Sequence, residues 1–217
     1  MALSSNYKYT AFLLLLLLGA LSFVKTKLWA GLAAYAMPFF WCLIIVAMLF
    51  FLPRIYAPGK MRFRETFMVY GGSGAAIYLS LLFVTGALLK NLAATPYDNS
   101  LLGILNNFIT VLPYIIAREM IREYALGTVW RFAKYRKTLL VCIFFFIAAT
   151  EINLTKLATL SGAEAWFVFV ARNVLPIFTE HILLTVLVLH GGAKAGILYA
   201  GVVQLFMRIF PFLPNLP

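Results

Sequence analysis

Long apolar runs separated by short polar segments extend along the whole chain and predict an all-α membrane protein. A helix that crosses a bilayer needs about 20 mostly apolar residues, and most of the runs approach or exceed that length. The pattern predicts a polytopic helix bundle with about seven transmembrane helices. We expect residues 1–217 to form a single integral membrane domain. The predicted spans are residues 11–24, 28–52, 66–89, 101–126, 138–152, 165–189 and 195–212.

Basic residues concentrate in the segments that follow every second predicted span. They lie in residues 54–64, in residues 128–137 and at Lys194. Lys and Arg beside membrane spans favour the cytoplasmic side. We therefore expect a multi-pass protein of the cell membrane with its N terminus in the cytoplasm and its C terminus outside.

The second of these segments interleaves basic and aromatic residues, a combination typical of the headgroup level of a membrane. It predicts a membrane-interface anchor. The anchor residues are Trp130, Arg131, Lys134, Tyr135, Arg136 and Lys137.

Composition supports the membrane class. Hydrophobic residues make up 64% of the chain and charged residues 12%, whereas soluble domains are roughly half apolar and a quarter charged. The net charge is +11, and the Lys and Arg residues that carry it lie mostly between apolar runs. Positive residues at such positions orient helices and attract anionic headgroups. The expected partner is therefore a bilayer with anionic headgroups, not nucleic acid. Cys42 and Cys142 lie inside apolar runs and show neither disulfide nor metal spacing.

Charged residues inside the spans are the candidate functional groups. Arg172 and Glu180 share a helical face in the sixth span, but they are about 12 Å apart along the axis and cannot pair directly. Glu119 or Glu123 could pair with Arg172, and Arg118, Arg122 or Arg208 could pair with Glu180. The candidate polar intramembrane cluster comprises Arg118, Glu119, Arg122, Arg172, Glu180, His181, Gln204 and Arg208.

This cluster has two interpretations. Its charges could lie near the bilayer surfaces and fix helix packing, which suits Glu119, Glu123 and Glu151. Alternatively, spans four, six and seven could line an aqueous groove, because Glu180 and His181 lie near mid-span, where charged groups usually face a cavity.

Motifs for catalysis within the membrane are missing. The segment REMIRE at 118–123 departs from the Glu-Glu-x-x-x-Arg pattern of glutamate-type intramembrane proteases, and no His-Glu-x-x-His occurs. Ser73, Ser80 and Ser161 have no Lys or His at a spacing that marks a base. The sequence predicts no catalytic residue, no Ser/Lys dyad, no metal ligand and no cofactor, and it leaves open whether the chain is an enzyme.

Three segments carry a resemblance to a known family. YDNSLLGILNNFITVLPYIIAREMIREYAL at 97–126, ARNVLPIFTEHILLTVLVLHGGAKAGILYAGVVQ at 171–204 and FPFLPNLP at 210–217 together resemble the multi-span membrane region at the amino end of certain clostridial-type signal peptidase I proteins. In that family a serine peptidase domain with a Ser-Met motif and a general-base Lys follows the membrane region. This chain has no Ser-Met dipeptide, so no catalytic residue is transferred to it.

The resemblance implies a role in protein secretion. Such a module would position a hydrophobic substrate segment, such as a signal peptide or another transmembrane segment, or it would support a peptidase or protein-export complex. Were the chain part of a longer protein, the resemblance implies a serine signal peptidase. The alternatives are a small-solute transporter or channel that uses the polar face of spans four, six and seven, a purely structural partner subunit, and an intramembrane hydrolase.

Overall fold

The computed structural model describes residues 6–24, 33–131 and 135–214, which are mainly helical. A 3-10 turn at Met61–Phe63 leads into α3, and a π-helical segment at Val170–Val174 joins α7 to α8. The helices are α1 Asn6–Val24, α2 Ala33–Phe50, α3 Arg64–Leu88, α4 Leu101–Trp130, α5 Arg136–Ala149, α6 Leu154–Ala158, α7 Ala163–Phe169, α8 Leu175–Gly191 and α9 Ala193–Ile209.

Within the described residues, three continuous helices are long and apolar enough to cross a membrane. They are Met61–Leu88, Leu101–Trp130 and Ala163–Gly191. Tyr9–Leu21 and Ala36–Phe50 are shorter apolar helices. Residues 28–32 of the predicted second span lie outside the described residues. The all-α membrane prediction is therefore confirmed at the level of three long apolar helices.

The predicted fourth span is longer than its hydrophobic pattern indicates. It continues past residue 126 to Trp130, so that α4 has 30 residues. Ser100 caps its first turn, because the Gly103 N–H donates to the Ser100 hydroxyl over 3.1 Å. Pro113 lies inside α4 and lacks the N–H that would bind the preceding turn.

One short sheet interrupts the helical pattern. Strand β1, Leu92–Ala94, pairs antiparallel with strand β2, Phe212–Pro214. Leu92 lies opposite Pro214, and Ala94 lies opposite Phe212. Strands of three residues leave no visible alternation of apolar and polar positions, so the sequence pattern does not predict this sheet. The pairing holds the segment after α9 against the connection between α3 and α4.

Helix α4 lies at the centre of the packing. It contacts α1, α2 and α5 on one side and α8 and α9 on the other, and α9 also packs against α3. Ile121 belongs to an apolar cluster formed with α1, α2 and α5. Ile115 belongs to a second cluster, which includes residues of α3, α8 and α9. Polar side chains on α4 are therefore enclosed between two apolar layers.

Candidate functional site

Three charged residues of α4 are buried on one side of the helix. Arg118, Glu119 and Arg122 expose 3%, 0% and 0% of their surface. Positions three or four residues apart lie on the same helical face, so Arg118 and Arg122 are neighbours on successive turns. Burial of charge at this depth requires partners of opposite charge.

Glu119 supplies one of those partners. Its Oε1 atom lies 2.7 Å from Arg118 Nε, and its Oε2 atom lies 2.9 Å from Arg122 Nε. The second contact does not meet hydrogen-bond geometry, so charge attraction alone joins those two atoms. One carboxylate thus bridges two guanidinium groups.

Glu151 supplies the second carboxylate from the turn that follows α5. Its Oε1 atom pairs with Arg118 and accepts a hydrogen bond from the Tyr114 hydroxyl over 3.3 Å. Its Oε2 atom lies 3.3 Å from His181 Nε2. This carboxylate therefore connects α4 with α8.

His181 of α8 contacts both Arg122 and Glu151, and it thereby completes a ring of contacts among the charged residues. Its Nδ1 atom lies 2.9 Å from Arg122 Nη2. Arg122 Nη1 also donates to the Thr185 hydroxyl over 2.9 Å and to the His181 carbonyl over 3.3 Å. We refer to the five residues as the buried ionic ring: Arg118, Glu119, Arg122, Glu151 and His181.

The contacts determine the chemistry of His181. A guanidinium has no acceptor, so His181 Nδ1 accepts from Arg122 and the ring proton resides on Nε2, facing Glu151. The imidazole is therefore neutral, and both of its nitrogens face ring partners. Two guanidinium groups balance two carboxylates. Such an arrangement suits the joining of helices better than it suits proton abstraction or metal ligation.

The other predicted cluster residues lie away from the ring or make no bond with it. Arg172 is exposed in the π-helical segment, and Glu180 is half-buried; neither forms a hydrogen bond or an ion pair with a described residue. Glu119 and Glu123, the predicted partners of Arg172, bind other groups. The structure thus leaves both charges of the sixth predicted span without a protein partner in the described part of the chain.

Gln204 and Arg208 form a separate contact near the end of α9. Arg208 Nη1 donates to Gln204 Oε1 over 3.1 Å, and its guanidinium lies 5.4 Å from the Tyr97 ring centre. Asn107 of α4 reaches the Arg208 carbonyl over 3.4 Å. Because Asn107 precedes Arg118 by about 16 Å along α4, this contact lies well away from the ring.

Glu123 forms a second polar junction that the sequence did not reveal. Its Oε1 atom accepts from the Ala57 N–H over 3.1 Å, and its Oε2 atom accepts from the Ala193 N–H over 2.9 Å. Arg64 Nη2 lies 3.8 Å from Glu123 Oε1. The free N–H groups at the start of α9 need an acceptor, which is the signal that could have predicted this contact.

The role of Glu151 in the ring also escaped the sequence pattern. Its position at the end of a short apolar run suggested a place at the bilayer surface. The turn after α5 instead directs its carboxylate inward to Arg118 and His181. Because α5 has 14 residues and is only about 21 Å long, its end lies at the depth of the ring.

The predicted interface anchor lies at the junction of α4 and α5. The Arg136 guanidinium lies 4.8 Å from the Trp130 ring centre, in cation–π range. Arg131, Tyr135 and Lys137 are exposed. Lys134 lies outside the described residues.

Comparison with known proteins adds no relative. No protein-family model, no curated protein and no solved structure matches this chain. Within residues 6–24, 33–131 and 135–214, no three His, Cys, Asp or Glu side chains form a group that could hold a metal ion.

Proposed function

We propose that this chain is a membrane module similar to the amino-terminal membrane region of clostridial-type signal peptidase I. It positions a hydrophobic substrate segment or supports a peptidase or protein-export complex. In the proposed topology the chain crosses the cell membrane seven times, with its N terminus in the cytoplasm. The observation that carries the proposal is the exposed Arg172 inside the long apolar helix Ala163–Gly191.

Arg172 lies far from both ends of that helix. It follows Ala163 by about 14 Å and precedes Gly191 by about 28 Å along the axis. A cation at the centre of a membrane helix costs at least about 2.5 kcal/mol on insertion scales. A second membrane segment that offers an acceptor to Arg172 would offset this cost, as charged groups within membranes usually find partners.

The local backbone supports a contact at this position. Arg172 lies in the π-helical segment Val170–Val174, four residues before Pro176. Single turns of π-helix occur frequently at functional sites and change the direction of the side chains that follow. Glu180, about 12 Å further along the axis, presents a second group without a partner in the described residues.

The buried ionic ring supports a rigid module in preference to a transport pathway. Its two guanidinium groups and two carboxylates bind each other, and they join α4, α8 and the turn after α5. Glu180 is the residue that favours the second candidate, a small-solute transporter, because its carboxylate is half-buried and unpaired. Solute uptake into proteoliposomes that is lost in Glu180→Leu would favour that candidate.

Photocrosslinking tests the proposal. Phe167 and Leu175 flank Arg172 and are 75% and 62% exposed, while Leu81 on α3 is 63% exposed and serves as a matched control site. We expect a crosslinker at Phe167 or Leu175 to capture a hydrophobic membrane segment in cells and one at Leu81 to capture less. Arg172→Leu should reduce capture and signal-sequence processing, and Arg172→Lys should retain both. Equal capture at all three sites, or no change in Arg172→Leu, would contradict the proposal.

A further inference from the structure

A lateral groove lies between α1, α4 and α5, away from the α7–α8 face. Its volume is about 520 Å³, within the range of roughly 300–1,000 Å³ found for small-ligand sites. Apolar side chains line it, among them Leu15, Ile143 and Phe146. Phe12 and Leu16, which also line the groove, are 62% and 48% exposed. The groove is therefore accessible from the side of the bundle.

The walls of the groove offer little hydrogen bonding. Thr128 is a polar lining residue, and its hydroxyl donates to the Tyr124 carbonyl within α4 over 2.7 Å. Cys142 contributes a thiol, which is a weak hydrogen-bonding group. The walls thus suit a hydrocarbon chain.

One end of the groove is basic. Tyr135 lines that end, and Arg136 follows it in the chain. The Arg136 guanidinium lies over Trp130, and its Nε atom is buried without a hydrogen-bond partner among the described residues. Arg131 and Lys137 are exposed at the same helix junction. Arg136 therefore places positive charge beside Tyr135 at this end of the groove.

We propose that the groove binds one acyl chain of an anionic phospholipid whose phosphate lies against Arg136. Inside a bilayer an apolar groove has no hydrophobic preference over the surrounding lipid tails, so the charge at its mouth must select the occupant. Basic pockets at helix ends recognise anionic headgroups. A signal sequence, by contrast, carries a positively charged head that this end would repel. The site is independent of the function proposed for the Arg172 face.

Native mass spectrometry of the purified full chain tests this site. The probes are phosphatidylglycerol and phosphatidylcholine with identical acyl chains. We expect the wild-type protein to retain phosphatidylglycerol preferentially, and Arg136→Gln to weaken that retention about fivefold, as expected for one basic group near a lipid surface. Arg136→Lys should keep most of the preference. Lys60→Gln, which removes an exposed charge from another loop, should leave it unchanged.

Substitutions that fill the groove provide a second test. Cys142→Trp and Leu139→Trp place bulk in the groove from α5, and we expect both to release phosphatidylglycerol while the melting temperature stays near the wild-type value. Equal retention of the two lipids would overturn the proposal. Retention unaffected by Arg136→Gln and by both filling variants would also overturn it, as would a polypeptide crosslinked through Cys142 in the Cys42→Ala protein.

Discussion

Arg122 Nη2 of α4 lies 2.9 Å from His181 Nδ1 of α8, and both residues are completely buried. Because arginine only donates, this contact holds the imidazole in one neutral form. His181 therefore acts in this structure as a bridge between Arg122 and Glu151.

Two substitutions of His181 distinguish the contribution of its hydrogen bonds from that of its packing. His181→Leu removes the acceptor for Arg122 and the N–H that faces Glu151, and we expect a loss of about 2 kcal/mol in unfolding free energy. His181→Gln offers one acceptor and one donor and should lose less. Thermal unfolding in detergent measures both variants. A similar loss in the two would contradict the bridging role.

Glu119 holds two guanidinium groups at once. Glu119→Gln leaves Arg122 without a carboxylate partner and Arg118 with Glu151 alone, so we expect a loss of about 3–5 kcal/mol. Glu65→Gln, an exposed change in the first turn of α3, should have almost no effect. Combining Glu119→Gln with Arg122→Met restores the charge balance and should recover part of the stability. No recovery would show that charge balance is not what Glu119 provides.

Glu123 joins three segments through backbone hydrogen bonds. Glu123→Gln retains only one oxygen acceptor for the Ala57 and Ala193 N–H groups, so one of them loses its partner. We expect faster amide hydrogen exchange at one or both positions, and the exchange rates measure the effect directly. Glu164→Gln on exposed α7 is the control. Unchanged exchange at both amides would contradict this junction.

Asp98 makes the first turn of α4 sensitive to acid. Hydrogen bonds from the Ser100 backbone N–H and hydroxyl lower the pKa of Asp98. The stabilisation is present above the unfolded-state pKa of about 3.9 and is lost as pH falls through the lower folded-state pKa. The stability difference between the wild-type protein and Asp98→Ala should therefore shrink at acid pH. Asn99→Ala, a neighbouring exposed change, should show no such pH dependence in urea unfolding.

The sequence predicted the all-α class and three long apolar helices, and it predicted the polar contacts less well. Apolar runs are a local property, so α3, α4 and the helix Ala163–Gly191 could be expected from residue pattern alone. The four-residue spacing of Arg118 and Arg122 likewise puts them on one helical face. The partners of these residues come from distant segments, and spacing within one helix does not determine how another helix is positioned against it.

Glu151 and Arg172 show the two ways in which that limit operates. Glu151 follows a short apolar helix, and only the length and packing of α5 bring its carboxylate to Arg118. Arg172 lies in a long apolar run that looks like one regular helix. The π-helical segment at Val170–Val174, which no local composition signal marks, changes the face that it occupies. A correct prediction of the ion pairs therefore required the length and packing of α5 and the position of the π-helical segment.

The Glu123 junction has a consequence for the order of assembly during biosynthesis. The Glu123 carboxylate accepts hydrogen bonds from the Ala57 N–H and from the Ala193 N–H. In addition, the Gly59 N–H donates to the Leu189 carbonyl over 3.1 Å. The loop before α3 thus contacts a part of the chain that the ribosome makes much later. Its final position is reached only after α8 and the start of α9 have entered the bundle. Until then the Gly59 N–H lacks its acceptor, the Leu189 carbonyl.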